Sequence, residues 1–255
     1  MTSLKRFVPG GIKAAIWRLA SKHLHLDWLL ASGYRVKIAS YADWCIYNDV
    51  FVEGEYDVAI DSALNAFRGS GHFQVVDLGA NVGFFALRVL DRIKRVGSTA
   101  TRVDVLCVEA SHSLERELKD RLDCRGDSGV SIKIVHGLVG ERTGYGRLEF
   151  APSQIMNRVY EGSGGAGRDV SYVDVESALP GVERIHLLKC DIEGSEAAFI
   201  RSYPTLLRRT EVAVFEFHEP ACSFQDGTEA VMREGFSKST ILRDQGTAQT
   251  VLFER

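Results

Sequence analysis

The sequence has no long apolar run, no concentrated charge and no paired cysteines, and each absence removes a class of function. None of its hydrophobic stretches approaches the roughly 18 residues of a membrane-spanning helix. The N-terminus has neither a signal-peptide core nor a small-residue cleavage pattern. Cys45, Cys107, Cys124, Cys190 and Cys222 are odd in number, widely spread and form no CxxC pair, which argues against a disulfide framework and a structural zinc site. A reducing, cytoplasmic location is expected. With 31 Lys and Arg against 34 Asp and Glu, the net charge is −3, so no general attraction to nucleic acid is expected. Charge is unbalanced at the start of the chain, where Lys5, Arg6, Lys13, Arg18 and Lys22 precede the first acid, Asp27. Ile12, Ala15, Ile16 and Leu19 recur there at helical spacing, which predicts a basic amphipathic helix over residues 11–24. Such a helix covers the cleft of the domain behind it or makes a peripheral contact with an anionic membrane surface.

The 255 residues are enough for one sizeable core. Residues 1–56 are expected as the basic helix and extended segments over the cleft, and residues 57–255 as the main domain. That domain is organised around residues 73–85, FQVVDLGANVGFF. An apolar run ending in Asp77 reads as a buried parallel strand emerging at a sheet edge. Gly79, Asn81 and Gly83 supply a tight turn with Ala80 inside it, and a helix starts at Phe84 with its free N–H groups facing that turn. Strand, glycine turn and helix together make a nucleotide cradle.

Upstream, residues 34–56 mix aromatic and β-branched side chains and predict short strands or extended segments, followed by a helix over residues 58–68. Downstream, RVDVLCV predicts a second strand ending at Glu109 and Ala110, with Glu109 placed to accept hydrogen bonds from a ribose. A helix over residues 112–122 and a third strand over 131–136 follow. Residues 146–151 and 169–175 predict an added antiparallel hairpin, with the glycine-rich stretch 161–168 as its linker. IHLLKCD and EVAVFEF are the fourth and fifth core strands, separated by a helix over 196–207. Two antiparallel strands joined near residues 244–246 finish the chain.

Ligands in open α/β sheets bind beyond the carboxyl ends of the strands. Those ends are here Asp77 with its glycines, Glu109, His136, Asp191 with Glu193, and Glu216 with His218. The turn lacks the third glycine of GxGxxG, and a carboxylate before it repels pyrophosphate but suits the ammonium and sulfonium of S-adenosylmethionine. Cofactor charge therefore favours S-adenosylmethionine over a nicotinamide dinucleotide.

DLGANVGFF, VEAS around Glu109 and LLKCDIEGSE, with FVEGEYD upstream, together resemble the FkbM family of S-adenosylmethionine-dependent O-methyltransferases. The resemblance implies a Rossmann-like α/β fold with a seven-stranded, mostly parallel sheet, an antiparallel last strand and helices on both faces. It also implies methyl transfer to a hydroxyl of a small molecule, sugar, glycan or natural product. The family's cofactor positions correspond to Asp77, Gly79, Asn81, Gly83 and Glu109. Ala80, Ala110 and Asp191 are expected beside them.

An alcohol is a poor nucleophile, and its attack on a sulfonium methyl is helped by a base. His218 is the first candidate because its ordinary pKa lies near neutrality. Asp191 is the second, or else orients the acceptor or holds the cofactor's amino group. Asp191, Glu193, Glu216 and His218 could instead gather round a divalent metal. Capping of the following helix by Glu193 and Glu196 is the preferred reading, and no metal is expected. An N-methyltransferase is the alternative within the fold, although the Asn/Asp-Pro-Pro-Tyr/Phe motif expected for it is replaced by DIEG. The alternative outside enzymes is an inactive binding module that recruits partners through the basic helix.

Overall fold

The computed structural model describes residues 26–67, 71–122, 127–149, 158–160 and 167–255. The helix expected over residues 11–24 lies outside them. Strands β1 (Leu26–Leu29) and β2 (Arg35–Ile38) form a small antiparallel pair. Helix α1 (Tyr41–Tyr47) follows and runs into a π-helical turn, Asn48–Glu53, that Gly54 ends at φ 68°. Residues 41–53 are thus helical, where extended chain was expected. The cause is local. Ser40 Oγ accepts from Asp43 N at 3.0 Å while Asp43 Oδ2 accepts from Ala39 N at 2.8 Å, a reciprocal cap that starts the helix. Trp44, Tyr47 and Phe51 then share one face, with Tyr47 stacked on Phe51 at 5.2 Å.

The main domain alternates strand and helix: α2 (Asp57–Ala66), β3 (Gly71–Leu78), α3 (Phe84–Val96), β4 (Ala100–Glu109), α4 (His112–Arg121) and β5 (Val130–His136). Strands β6 (Tyr145–Glu149), β7 (Arg158–Tyr160) and β8 (Gly167–Ser171) form a separate antiparallel sheet in the order β7-β6-β8. The expected hairpin is present as the β6–β8 pair, and β7 is a third strand that the sequence reading did not contain. The chain then returns through β9 (Ile185–Cys190), α5 (Glu196–Ser202), α6 (Pro204–Arg208), β10 (Thr210–His218), α7 (Phe224–Arg233), β11 (Lys238–Asp244) and β12 (Ala248–Glu254).

One continuous helix over residues 196–207 was expected, but it breaks at Tyr203. Pro204 disfavours helical geometry in the residue before it and begins α6 instead, leaving Tyr203 at φ −124° and ψ 43°. Helix α7 was not foreseen. Ser223 accepts from Asp226 N at its start, the same cap signature that opens α1.

The central sheet has seven strands in the order β11-β12-β10-β9-β3-β4-β5. Neighbouring strands from β10 to β5 are parallel, and β12 runs antiparallel to both β10 and β11. This is the fold class expected from the motifs. Side-chain alternation assigns the two faces. Phe73, Val75, Val103, Val105 and Cys107 pack with α2, α3 and α4, whereas Val76, Leu78, Leu106 and Val108 pack with α5, α6 and α7. Among the described residues no helix is long and apolar enough to cross a membrane.

The start of α3 depends on Gly83, which adopts φ 83°. A Cβ there would stand 2.6 Å from Leu118 Cδ1 and 3.1 Å from Leu122 Cδ1. Gly83→Ala is expected to cost about 1–3 kcal/mol through overpacking, read as a lower urea midpoint with an unchanged m value.

Candidate functional site

The carboxyl ends of β3, β4, β9 and β10 lie side by side because the parallel registers place Leu78 opposite both Val108 and Cys190, and Phe215 opposite Cys190. A cleft of about 620 Å³ opens above them, bordered by Gly79, Asn81, Glu109, Ala110, Asp191 and Glu193. Leu138, Val139 and Leu148 close another side, so the small added sheet helps to wall the cleft.

The turn after β3 is held from below. The amides of Gly79 and Ala80 both donate to Val108 O at 3.0 Å. Asn81, at φ 49°, donates its own amide to Glu109 Oε2 at 2.8 Å, and Ser111 N donates to Glu109 Oε1 at 2.7 Å. Glu109 therefore braces the turn and still borders the cleft. Burial raises its pKa, and the two amides act in the opposite direction. A Cβ on Gly79 would fall 1.7 Å from Asp191 O. That glycine is thus required by the approach of the chain after β9, as well as by its φ of 74°.

Asp77 is completely buried beneath the turn, and neither of its carboxylate oxygens accepts a well-aligned hydrogen bond. Lys189 Nζ stands 3.4 Å from Asp77 Oδ1 and 3.4 Å from Asp191 Oδ2, and donates to Gly79 O at 2.9 Å. Burial raises the Asp77 pKa and Lys189 opposes the rise. Burial works to strip the Lys189 ammonium of its proton, but Asp191, Asp77 and Glu216 more than offset it and keep the pKa above its ordinary value. Lys189 was not singled out in the sequence reading. A lysine inside the apolar strand IHLLKC is the signal, since a buried cation needs partners.

His218 stands beside Asp191 and Glu193 of the cleft border. Its Nδ1 is 3.0 Å from Glu196 Oε1, and its Nε2 is 3.6 Å from Glu193 Oε2, 3.8 Å from Glu216 Oε1 and 4.0 Å from Asp191 Oδ1. Glu196, fully buried, also accepts from Gly194 N at 3.0 Å and Ile192 N at 3.4 Å. The two acids expected as helix caps are therefore arranged differently. Glu196 staples the DIEG turn and holds His218, while Glu193, at φ 52°, reaches the other nitrogen of that ring. Burial disfavours charge on His218, but the hydrogen bond its Nδ1 donates to Glu196 and the charges of Asp191, Glu196 and Glu193 push its pKa up to about 9. The reason for nominating His218, an ordinary pKa near neutrality, does not hold in this setting. Burial, with the charge of Asp191, pushes Glu216 up to about 8.

The sequence-nominated residues thus fall into two groups: Asp77, Gly79, Ala80, Asn81, Glu109 and Ala110 around the glycine turn, and Asp191 with His218 at the far end. Asp191 belongs to both through Lys189. Gly83 faces the α4 side chains. Asp191, Glu193 and His218 also offer donor atoms within 4.8 Å of one another. Glu55, from the segment leading into α2, accepts from Thr250 Oγ1 at 3.0 Å, and Thr250 is the β12 partner of Glu216, so that segment packs beside this end.

Comparison with known proteins follows this geometry. Residues 77–244 match the Methyltransferase FkbM domain. Comparison with curated proteins finds no match. Among solved structures, an FkbM methyltransferase from Methylobacillus flagellatus KT is similar at 14% identity and TM-score 0.49, over 95% of this chain and 58% of that one. This chain therefore spans less than two thirds of that protein's length. The METTL16 methyltransferase domain is similar at 10% identity and TM-score 0.49, over 98% and 94% of the two chains. The fibrillarin pre-rRNA processing protein of Methanococcus jannaschii is similar at 12% identity and TM-score 0.44, over 72% and 66%. With the matched domain covering the glycine turn, both groups of strand-end acids and the chain as far as β11, the chain belongs to the FkbM family of S-adenosylmethionine-dependent methyltransferases.

Proposed function

We propose that this methyltransferase acts on a hydroxyl oxygen, with a neutral or cationic polyhydroxylated small molecule, sugar or glycan as acceptor. The observation that carries the reading is the pairing of buried Glu196 with half-buried His218, whose outer nitrogen faces Glu216 and the cleft-bordering Asp191 and Glu193. A hydroxyl must lose a proton as it attacks, and a histidine held through one ring nitrogen by a carboxylate is a suitable acceptor for it.

S-adenosylmethionine, when bound, supplies an electrophilic methyl carbon on a sulfonium. The residues around the turn suit it. Glu109, after accepting from two amides, retains lone pairs for a ribose. Asp77, completely buried, acts through the turn it supports, and Glu109, Asp191 and Glu193 line the cleft with carboxylates that suit a cation. Asp77, Gly79, Ala80, Asn81, Glu109 and Ala110 form the donor side in this reading, and Asp191 stands between donor and acceptor.

His218 carries a proton at neutral pH and must release it before it can act as a base. Positive charge brought into the cleft lowers its hold on that proton. Glu196 fixes the ring so that Nε2 is the exchanging nitrogen. The acids at this end accept hydrogen bonds from acceptor hydroxyls and repel phosphorylated compounds.

A screen with methyl-labelled donor is expected to label hydroxyls of neutral polyols and to leave their phosphorylated counterparts unlabelled. Product with the methyl on nitrogen, or donor binding without transfer to any acceptor class, would overturn the proposal.

The pH profile tests His218 separately. Because its pKa is raised, log(kcat/KM) should rise with pH and level off near or below pH 9. His218→Gln should remove this limb and lower kcat by roughly 10²–10⁴-fold. Glu196→Gln withdraws the partner that raises the pKa, so the limb should move to lower pH. A profile unaltered by both substitutions excludes His218 as the base.

A further inference from the structure

We propose that His112, Glu115 and His136 form a site for a divalent cation of the zinc or cobalt kind on the outer rim of the donor cleft. The fold brings them together from two elements. Helix α4 places His112 and Glu115 three residues apart on one face. The β4–β5 register pairs His136 with Glu109, so the end of β5 delivers the His136 ring to the start of that helix. The two imidazoles meet edge to face with centroids 5.4 Å apart. One donor atom from each of the three side chains lies within 4.8 Å of the other two. His112 Nδ1 and Glu115 Oε2 are 3.1 Å apart, close to the separation of two ligands that each bind one ion at about 2.0–2.2 Å.

His136 supplies an independent argument. Its Nε2 lies 3.0 Å from Ala110 O. A carbonyl can only accept, so Nε2 carries the hydrogen and Nδ1 keeps its lone pair. A metal-binding histidine is normally held in this way, with its second ring nitrogen donating to a carbonyl or carboxylate. Glu115 offers two carboxylate oxygens. Lys119 pairs with Oε1 and leaves Oε2 to the ion. The His112 side chain is 62% exposed against 10% for Glu115, so the set opens outward and leaves coordination positions for water.

Two imidazoles and one carboxylate suit zinc, cobalt or nickel and do not suit magnesium, which prefers oxygen ligands. The carboxylate-rich set around His218 differs in chemistry and in place. An ion on the outer rim would clip α4 to β5 through the Ala110 backbone, which borders the cleft. It would stabilise the folded chain by mass action.

The test is isothermal titration of the full, tag-free chain with ZnCl₂ and separately with MgCl₂, together with visible absorption on addition of CoCl₂. One zinc ion per chain is expected, without magnesium binding, and with a rise in melting temperature. His112→Ala and His136→Ala should each weaken zinc by at least about tenfold, and His218→Ala should leave it unchanged. The cobalt spectrum of the wild type should show d–d bands without a thiolate charge-transfer band, a reading that does not depend on any variant folding. Absence of zinc binding, binding at wild-type strength in both rim variants, loss in His218→Ala, or a thiolate band would each overturn the site.

Discussion

A lysine ammonium buried in the middle of a β-sheet can exist only where other groups answer its charge. Lys189 meets this condition through Asp77, Asp191 and the carbonyl of Gly79. Removal from water costs several kcal/mol per ion unless pairing and hydrogen bonding compensate. That compensation requires β3 and β9 to be adjacent and parallel, with Leu78 opposite Cys190. Strand register, the conformation of the glycine turn and the position of Asp191 are thus set by one ammonium group. Gly79 follows from it, because the chain after β9 comes so close that no side chain fits there.

The same ion network grades the two ends of the cleft. Near the turn, Glu109 is committed to two backbone amides and Asp77 is sealed beneath, so this end is rigid and ready for a fixed ligand. At the other end, Glu216 and His218 crowd against Asp191 and Glu193, and the proton affinities of Glu216 and His218 rise. Glu216 is moved towards neutrality, where a group passes a proton readily, whereas His218 holds its proton until higher pH. A donor side held by backbone amides and an acceptor side with titratable groups, on one sheet edge, are what the proposed transfer of a methyl to a hydroxyl asks of a protein.

The fold was legible wherever a periodic apolar strand met its turn. FQVVDLGANVGFF carried β3, its turn and the start of α3, and Glu109 and Asp191, at the ends of two later strands, border the cleft. The rest was hidden for identifiable reasons. Aromatic residues in 41–53 looked extended, while the helix start was written in Ser40 and Asp43, a short polar cap that is easily outweighed. Ser223 and Asp226 carried the same message for α7. Pro204 announced the break at Tyr203. Lys189 could be seen as anomalous within an apolar strand, but its partners come from β3 and from a backbone carbonyl, which no local pattern reveals. The raised pKa of His218 arises from Glu196, twenty-two residues earlier in the chain, and exists only once the fold is made.

Isothermal titration with S-adenosylmethionine, comparing the wild-type chain with Lys189→Met and Lys189→Arg, tests the dependence of the site on this ammonium most directly. Near-UV circular dichroism checks that each protein is folded. The account predicts a single site in the wild type, with affinity lower by at least about tenfold, or 1.4 kcal/mol, in whichever variant retains its fold. Unchanged affinity in a folded variant would contradict it.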